Sequence, residues 1–493
     1  MGDIANMRTK RKEYFNQVRN GFVFFYLLYL ALCMFMPLRL VTESVSSCAY
    51  KFFSVMAVII MLLDLWIYRK GLKKIEYLFP FLFILMGIIS AIVNYHYELL
   101  SNIKTLTLMS AHFTFFYMLN THWENGKSKE LVTRLMQGFI AIWFVSSVVS
   151  LAEFVVGYSN ILDNTHGDLS GRRLGFYDQR LFGAFGDPNY ASVLAIVAIC
   201  FCAVFLTRKG NNIFLKIYYI TNIIVQWMYI VLSGSRTALL SICVGVGVVA
   251  LMFLWKYLKK KALACAQCAL ISLLIAAFCI GATCSFYSAT KNALSYVPGF
   301  YMEAVELRDK PKSTSESATE PTIPQSVDLN REDVENSDNI SNNRFAIWKD
   351  AITIWKSTPI VGATSRGYLA YAKDKIGDLY IVERAYATHN GYLSILLFSG
   401  ILGTLVMMAW MGFLLYRIIR YLLYRVGSGD SKYVEVVILF AGILSMGVAA
   451  MLLSLVFYDT MISGAVFWTM CGYLLDLTKN PQKEKRKNYR EYM

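Results

Sequence analysis

The side chains in this sequence that are best suited to chemistry are a few arginines and one histidine, set between long apolar runs. Arg344 and His389 lie in the stretch from 342 to 403, and Arg236 ends a tight turn that begins at Ser233. Arginine suits a diphosphate because its guanidinium group donates two parallel hydrogen bonds and stays charged in any surroundings. At a separation of about 4 Å such a pair gains ~4 kcal/mol at an effective dielectric of about 20. The arginines are therefore candidate anion-binding residues.

His389 is the candidate proton acceptor. Its unperturbed pKa of about 6.5 lets it take a proton from a hydroxyl group at neutral pH, a role worth roughly 10² to 10⁴ in rate. Asn390 beside it could orient the imidazole ring or hold a substrate hydroxyl. An interfacial histidine with satisfied hydrogen bonds remains an alternative interpretation from the residues alone. The weaker candidates are the other histidines, at positions 96, 112, 122 and 166.

The composition places this chain in a membrane. Of its 493 residues, 56% are hydrophobic and only 16% are charged, which is too apolar for a soluble protein. A spanning helix needs about 20 mostly apolar residues, and the sequence predicts about twelve such helices. Their approximate bounds are 21–41, 50–68, 77–95, 101–120, 132–156, 188–207, 213–233, 237–256, 262–284, 400–424, 434–457 and 462–478. The predicted fold class is all-α, a polytopic membrane helical bundle.

The basic residues predict the orientation of this bundle. They form short clusters between apolar runs, near 69–74, 127–129, 208–209, 256–261, 417–425 and 483–490. The alternate connections near 42–49, 96–100 and 458–461 contain no Lys or Arg. Because cytoplasmic loops collect Lys and Arg, both termini are predicted to be cytoplasmic. The same rule accounts for the formal charge of +15, so no nucleic-acid partner is predicted.

Four segments follow from this topology. They are 1–284 with spans one to nine, 285–399 as a large extracytoplasmic loop between spans nine and ten, 400–478 with spans ten to twelve, and 479–493 as a basic cytoplasmic tail. Within the loop, residues 309–341 are too polar to offset the entropy of ordering, which predicts a flexible insert. Residues 343–357 have helical spacing, with Asn342 or Asn343 as N-cap and an apolar face of Ile347, Trp348, Ala351, Ile352 and Trp355. This predicts an amphipathic helix on the outer membrane surface.

Several arginines on the predicted outer side break the rule that places cations inside. Arg172, Arg173 and Arg180 lie in the loop before Pro188, in addition to Arg236 and Arg344. Their repetition indicates a function for the group. For Arg172 and Arg173, ordinary loop solvation or snorkelling is an equally good explanation.

No metal or other cofactor is predicted. Cys265 and Cys268 form a C-x-x-C segment inside a predicted span, but zinc sites need companion ligands, and none lies nearby in the sequence. Free cysteine behaves as a small hydrophobic residue, so packing is the preferred explanation.

Three segments resemble motifs of the O-antigen ligase and O-antigen polymerase family of bacterial membrane glycosyltransferases. They are residues 180–191, RLFGAFGDPNYA; residues 234–238, GSRTA; and residues 389–393, HNGYL, with the later Gly400 and Gly403. A fourth, looser match joins Arg344 to Ile347, Trp348, Pro359 and Gly362. The resemblance covers about 160–405 by motif, and the whole chain by its plan of spans with a long outer loop.

The resemblance implies metal-independent glycosyl transfer with inversion on the outer face of the cytoplasmic membrane. The donor would be a glycan on undecaprenyl diphosphate, and an acceptor hydroxyl would attack the anomeric carbon. Arg236 and Arg344 would bind the diphosphate, and His389 would be the base. The donor site would also include Arg180 and Asn189, with Arg172, Arg173 and Asn390 as further substrate-binding candidates. Asp187 and Glu153 are given structural or secondary roles.

The preferred function is a polymerase that joins lipid-linked repeat units into a capsular or other surface polysaccharide. The close alternative is a ligase that moves a finished glycan to a lipid, wall or protein acceptor. The expected partners are the lipid-linked oligosaccharide, the glycan acceptor and the bilayer, with a flippase and a chain-length regulator in the same pathway. A secondary transporter is a less favoured hypothesis, because the sequence shows no pair of repeated halves.

Overall fold

The computed structural model describes residues 2–41, 43–68, 75–118, 127–163, 169–261, 263–309, 325–330, 343–424 and 432–479. These ranges are almost entirely helical, with one small sheet. The helices are α1 Gly2–Leu32, α2 Met36–Val41, α3 Glu43–Ile67, α4 Ile75–Val93, α5 Leu99–His112, α6 Lys127–Val155, α7 Pro188–Thr207, α8 Ile213–Leu232, α9 Arg236–Lys260, α10 Cys265–Ser295, α11 Val297–Asp309, α12 Arg344–Ser357, α13 Tyr368–Lys375, α14 Tyr380–Glu383, α15 Gly391–Tyr424, α16 Lys432–Ala449 and α17 Ile462–Leu477.

Nine helices in the described ranges are long and apolar enough to cross a membrane. Each overlaps a predicted span, which confirms an all-α multi-pass membrane protein. The other three predicted spans are helical but interrupted or short. The span predicted at 21–41 is divided between α1 and α2, α5 passes into a π-helical turn at Phe113–Tyr117, and α17 has 16 residues.

The interior of the bundle contains polar side chains that bond to one another. The Ser147 hydroxyl donates to Gln226 at 2.9 Å, and Gln226 donates to Asn222 at 3.0 Å, which joins α6 to α8. Arg19 and Asp64 form a fully buried ion pair between α1 and α3, with 3.0 Å between Nε and Oδ1. A charge or amide that faces hydrocarbon must find a partner inside the protein. These contacts therefore fix which helices lie side by side.

The sheet is antiparallel and lies between α6 and α7. Its strands are β1 Ser159–Ile161, β2 Arg173–Tyr177 and β3 Arg180–Gly183, in the order β1-β2-β3. Tyr177 pairs with Arg180, and the two residues between them both have positive φ, 49° at Asp178 and 55° at Gln179. Two successive residues with positive φ make the type I′ turn that suits the twist of a tight hairpin. The hydropathy pattern predicted only a loop here.

The large loop is more ordered than predicted at two places. Helix α10 continues to Ser295, beyond the predicted end at 284. Residues 325–330 are anchored to it: the Val327 N–H donates to the Ser295 carbonyl at 2.9 Å, and Leu329 is buried in the main core. Within the predicted flexible insert of 309–341, residues 325–330 thus contact α10 and the helical core. Its remaining parts, 310–324 and 331–341, lie outside the described residues.

Helix α15 begins at Gly391, not at 400, and it is broken at Gly400, where φ is 61° and ψ is −165°. Gly400 is buried, and a break in a buried helix leaves backbone groups that need new partners. Residues 359–364 of the large loop supply them. The Ile401 N–H donates to the Pro359 carbonyl at 2.9 Å, and the Ala363 N–H donates to the Leu397 carbonyl at 2.7 Å. The loop is thereby joined to α15 near its N-terminal end.

The contact between residues 359–364 and the break in α15, which we call the crossing, depends on two glycines. A Cβ atom on Gly400 would lie 2.6 Å from the Val361 nitrogen and closer still to the Ile360 carbonyl, and one on Gly362 would lie 2.5 Å from the Gly400 nitrogen. Both residues also have positive φ, which an L side chain rarely adopts. The structure thus explains two glycines of the motif resemblance through backbone contact.

We expect Gly400→Ala to destabilise the protein by at least the ~1–3 kcal/mol of a strained residue, with further loss from the backbone clash. The matched control is Gly412→Ala, because a Cβ at Gly412 on the same helix would meet nothing within 4 Å. Thermal unfolding of the two variants in detergent would measure the difference. Equal melting temperatures would contradict the proposed role of the crossing.

Candidate active site

Arg180 connects two of the motif segments. Its Nε donates to the Ser233 carbonyl at 2.9 Å, and its terminal nitrogen donates to the Asn189 side-chain oxygen at 2.9 Å. Arg180 begins β3, Asn189 lies in the first turn of α7, and Ser233 opens the turn before Arg236. The predicted donor-site residues Arg180 and Asn189 are therefore in contact, and both lie beside the Arg236 turn.

Arg236 is the first residue of α9 and is exposed. The turn before it uses Gly234 at a φ of 59°, and the Ser235 hydroxyl caps the helix by accepting from the Ala238 N–H at 3.3 Å. Within the described part of the chain, the Arg236 side chain makes no hydrogen bond or ion pair. An unpaired guanidinium at a helix N-terminus has both its own charge and the helix dipole available to an anion.

Asp187 links the start of α7 to the electrostatics of the site. Its carboxylate accepts from the Asn189 N–H at 2.9 Å and from the Tyr190 N–H at 3.4 Å, with Pro188 at the first helical position. This is an N-cap, and proline at that position costs no hydrogen bond. Burial raises the pKa of Asp187, while these N–H groups and the cations of Arg180 and Arg172 oppose the rise.

His389 is held in an unusual backbone conformation, with φ at 46°. The Trp348 indole donates to the Thr388 carbonyl at 3.0 Å. The buried Thr388 hydroxyl lies 2.5 Å from the Ser394 hydroxyl and 3.3 Å from that of Ser454. Because a non-glycine residue rarely has positive φ, such a conformation persists only where its surroundings fix it. These contacts supply that support.

Asn390 is used by the fold. Its side-chain oxygen accepts from the N–H groups of Tyr392 and Leu393, both at 3.0 Å, and so caps α15. The sequence pattern predicted a role for Asn390 toward the histidine ring or a substrate hydroxyl. In the structure the amide oxygen serves the helix, because the first N–H groups of a helix have no partner inside it. A role of Asn390 toward the ring or a substrate hydroxyl stays a prediction.

The electrostatic contacts bring the motif segments together. Burial lowers the pKa of His389 from its usual 6.5, the nearby Arg344 cation lowers it further, and Asp187 acts in the opposite direction. The Tyr190 hydroxyl interacts electrostatically with Asp187, Arg344 and Asp459. Arg180, Asn189 and Asp187 therefore lie at the same end of the bundle as the His389 segment. We call this end the loop end.

Two residues of the loop end were not predicted from the sequence. Tyr190 stood out only as part of a motif, and Asp459 was not a candidate. The Asp459 carboxylate accepts from the Met461 N–H at 2.8 Å and from the Ser463 hydroxyl. An acidic residue in the short connection at 458–461, which has no Lys or Arg, was the available signal.

The other predicted arginines are placed less centrally. Arg173 pairs with Asp178 at 2.6 Å and lies over the rings of Tyr177 and Phe182, at 4.8 and 5.7 Å from their centroids. It therefore belongs to the hairpin. Arg172 is exposed and reaches the site only through its electrostatic effect on Asp187.

Helix α12 packs differently from the amphipathic prediction. Its buried residues are Ile347, Ala351 and Ile354, whereas Ile352 is 39% exposed. Its N-cap residue Asn343 has a φ of 60° and makes no side-chain capping bond, and Asn342 lies outside the described residues. The Trp348 and Trp355 indoles donate to loop carbonyls, so the helix is held by the protein itself.

The side chains of the candidate site named above are cations, the His389 imidazole, hydroxyls and carboxylates. Among the residues that the structure describes, no group of three or more His, Cys, Asp or Glu side chains is placed to hold a metal ion. Of the C-x-x-C pair, Cys268 is buried and Cys265 is exposed.

Residues 221–408 match a family model described as O-antigen ligase. This confirms the family resemblance. The matched segment contains Arg236, Arg344 and His389, and it ends shortly after the break at Gly400; Arg180 precedes it. No match was found among curated proteins.

We expect Arg344→Gln to raise the pKa of His389, because the change removes a cation while the burial remains. Diethyl pyrocarbonate reacts with neutral imidazole, so the midpoint of His389 modification, measured by mass spectrometry, should move to higher pH. Asp187→Asn should move it to lower pH and still cap α7. Arg384→Gln, an exposed change close in sequence, is the control. An unmoved midpoint in Arg344→Gln would contradict the geometry.

Proposed function

We propose that this chain, a membrane glycosyltransferase that carries an O-antigen ligase domain, is a surface polysaccharide polymerase. It would transfer glycan from undecaprenyl diphosphate to a sugar hydroxyl, with the loop end on the outer face of the bacterial cytoplasmic membrane. The observation that supports this most strongly is the meeting of Arg180, the Arg236 turn, Arg344 and His389 at that end. Cations for a diphosphate and a base for a hydroxyl are the two needs of this reaction.

The donor diphosphate would be bound by Arg236 and Arg344. Each is the first residue of its helix, α9 and α12, so side-chain charge and helix dipole act in the same direction. As the glycosidic bond breaks, negative charge grows on the departing diphosphate, and fixed cations stabilise that charge. Arg180 would hold the Arg236 turn through its bond to Ser233. Removing one side chain that stabilises such developing charge typically lowers the rate of an enzyme by about 10²- to 10³-fold.

His389 would be the general base. Its lowered pKa keeps the imidazole neutral at neutral pH, so it can accept a proton. In one step the acceptor oxygen bonds to the anomeric carbon, the bond from that carbon to the diphosphate oxygen breaks with inversion, and the acceptor proton passes to His389. The nearby carboxylate of Asp187 favours the charged imidazole that results.

The alternative is a ligase that moves a finished glycan to a lipid, wall or protein acceptor, and the matched family model is described as O-antigen ligase. The donor chemistry is the same in both cases, and only the acceptor differs. For a polymerase the acceptor is a second lipid-linked repeat unit, and a flippase and a chain-length regulator would act in the same pathway.

Purified protein incubated with a lipid-linked repeat unit should give a ladder of longer glycans on a gel. His389→Ala should slow the reaction by roughly 10²- to 10⁴-fold, and Arg236→Ala or Arg344→Ala by about 10²-fold or more. Arg384→Ala and His96→Ala, both exposed, serve as controls. A normal ladder from His389→Ala would remove the base assignment. Transfer to an added acceptor without a ladder would favour the ligase.

The same assay tests metal independence. Because arginines would neutralise the diphosphate, we expect EDTA to leave the rate within experimental error of the untreated protein. Inhibition by EDTA that added Mg²⁺ or Mn²⁺ reverses would show that a cation takes part.

A further inference from the structure

We infer that Trp348 is a positioning residue for His389, and that through it helix α12 fixes the proposed base and the proposed diphosphate ligand Arg344 together. This rests on the proposed function. The contact that carries it is the hydrogen bond from the Trp348 indole to the carbonyl of Thr388, 3.0 Å long, one residue before the base.

Arg344 and Trp348 are four residues apart on α12, so their side chains lie on the same face of the helix. Arg344 acts electrostatically on His389, and Trp348 bonds to its neighbour Thr388. Helix α12 cannot rotate freely about its axis, because its residues Ile347, Ala351 and Ile354 are buried in a hydrophobic cluster with residues of α13, α14 and α15. A single rigid element thus holds both groups.

The backbone at His389 needs such support. Its positive φ costs energy that surrounding contacts must offset. On the far side, the Thr388 hydroxyl contacts Ser394 and Ser454, and the Gly391 N–H donates to the Ala450 carbonyl at 2.7 Å. On the α12 side the Trp348 indole ties the Thr388 backbone to the helix. The Tyr368 hydroxyl also holds this segment, by donating to the Tyr386 carbonyl at 2.7 Å. Loss of the Trp348 bond would loosen the residues directly before His389.

Greater mobility of the backbone at Thr388 would change the pKa of the His389 imidazole. The charged groups that act on His389 are Arg344 from α12 and Asp187 from the start of α7, and the ring of Tyr386 lies 6.3 Å from its own. Burial is the largest of the effects that lower the pKa of His389. A loosened segment would admit water, so the pKa would rise and the acidic limb of the pH–rate profile would move to higher pH.

The chain offers a matched control on the same helix. Trp355 also donates its indole N–H to a loop carbonyl, that of Pro359, at 3.2 Å. Phenylalanine at either position keeps an aromatic ring and removes one hydrogen bond. The two carbonyls differ in their place in the chain: Thr388 directly precedes His389, whereas Pro359 belongs to the crossing with α15.

The experiment compares Trp348→Phe with Trp355→Phe in the full-length protein with a lipid-linked repeat unit. For Trp348→Phe we expect kcat to fall by about tenfold, the size of one hydrogen bond, with KM for the lipid donor within about twofold. The acidic limb should also move to higher pH. Trp355→Phe should keep the wild-type kcat and pH profile. Equal effects in the two variants, or an unmoved pH profile in Trp348→Phe, would overturn the inference.

Two further measurements keep the outcome decisive. If Trp348→Phe does not fold, 3-benzothienylalanine at position 348 replaces only the indole N–H by sulfur and should give the same changes. Diethyl pyrocarbonate modification of His389 needs no enzymatic turnover. If the wild-type protein transfers no glycan, the proposed function is wrong. If the pH midpoint of His389 modification is the same in Trp348→Phe as in the wild type, the positioning role is wrong.

Discussion

The arrangement of the loop end depends on one constraint: buried backbone groups must be hydrogen-bonded. Where α15 breaks at Gly400, its free groups bond to residues 359–364, which come from the large loop. Helix α12 ends at Ser357, just before this crossing, and α15 begins at Gly391, just after His389. Both sides of the proposed site are thus tied to one point in the bundle. Without the crossing, α12 and the His389 segment would be joined only by their own contacts.

Several arginines are paired with carboxylates of this chain. Arg19 pairs with Asp64 and Arg208 pairs with Glu435, at 3.0 and 2.5 Å, and these buried pairs join helices. Near the loop end, Arg173 pairs with Asp178, and Arg180 donates to the Ser233 carbonyl and the Asn189 side-chain oxygen. Arg236 is exposed at a helix N-terminus. The positive charge of Arg236 is therefore available to an anion from outside the protein.

The sequence predicted the helices because hydropathy averages over a window of about 20 residues, and it placed the motif segments because their residue types are unusual. It could not predict the break at Gly400, since a glycine in an apolar run shows no partner until the loop that meets it is known. The start of α15 was predictable in part: Asn390 followed by a long apolar run is an N-cap signal. The bond from Trp348 to Thr388 joins residues far apart in sequence, and an amphipathic pattern equally suits a membrane surface. The structure shows the tertiary contacts of this helix, and its place at the membrane surface stays a prediction.

On the proposed function, the site contains a link between donor binding and basicity. With no donor bound, Arg344 disfavours a proton on His389, as burial does. A diphosphate on Arg344 would place negative charge beside the same cation and cancel part of its effect, so the imidazole would become a stronger base. The negative charges of the diphosphate and of Asp187 would then stabilise His389 in its protonated form, once it has taken the proton of the acceptor. Because α12 carries Arg344 and also holds Thr388 through Trp348, the distance between cation and base would change little while the charge between them changes. His389 would thus be the strongest base when the donor is bound, and it would stay unprotonated when the donor is absent.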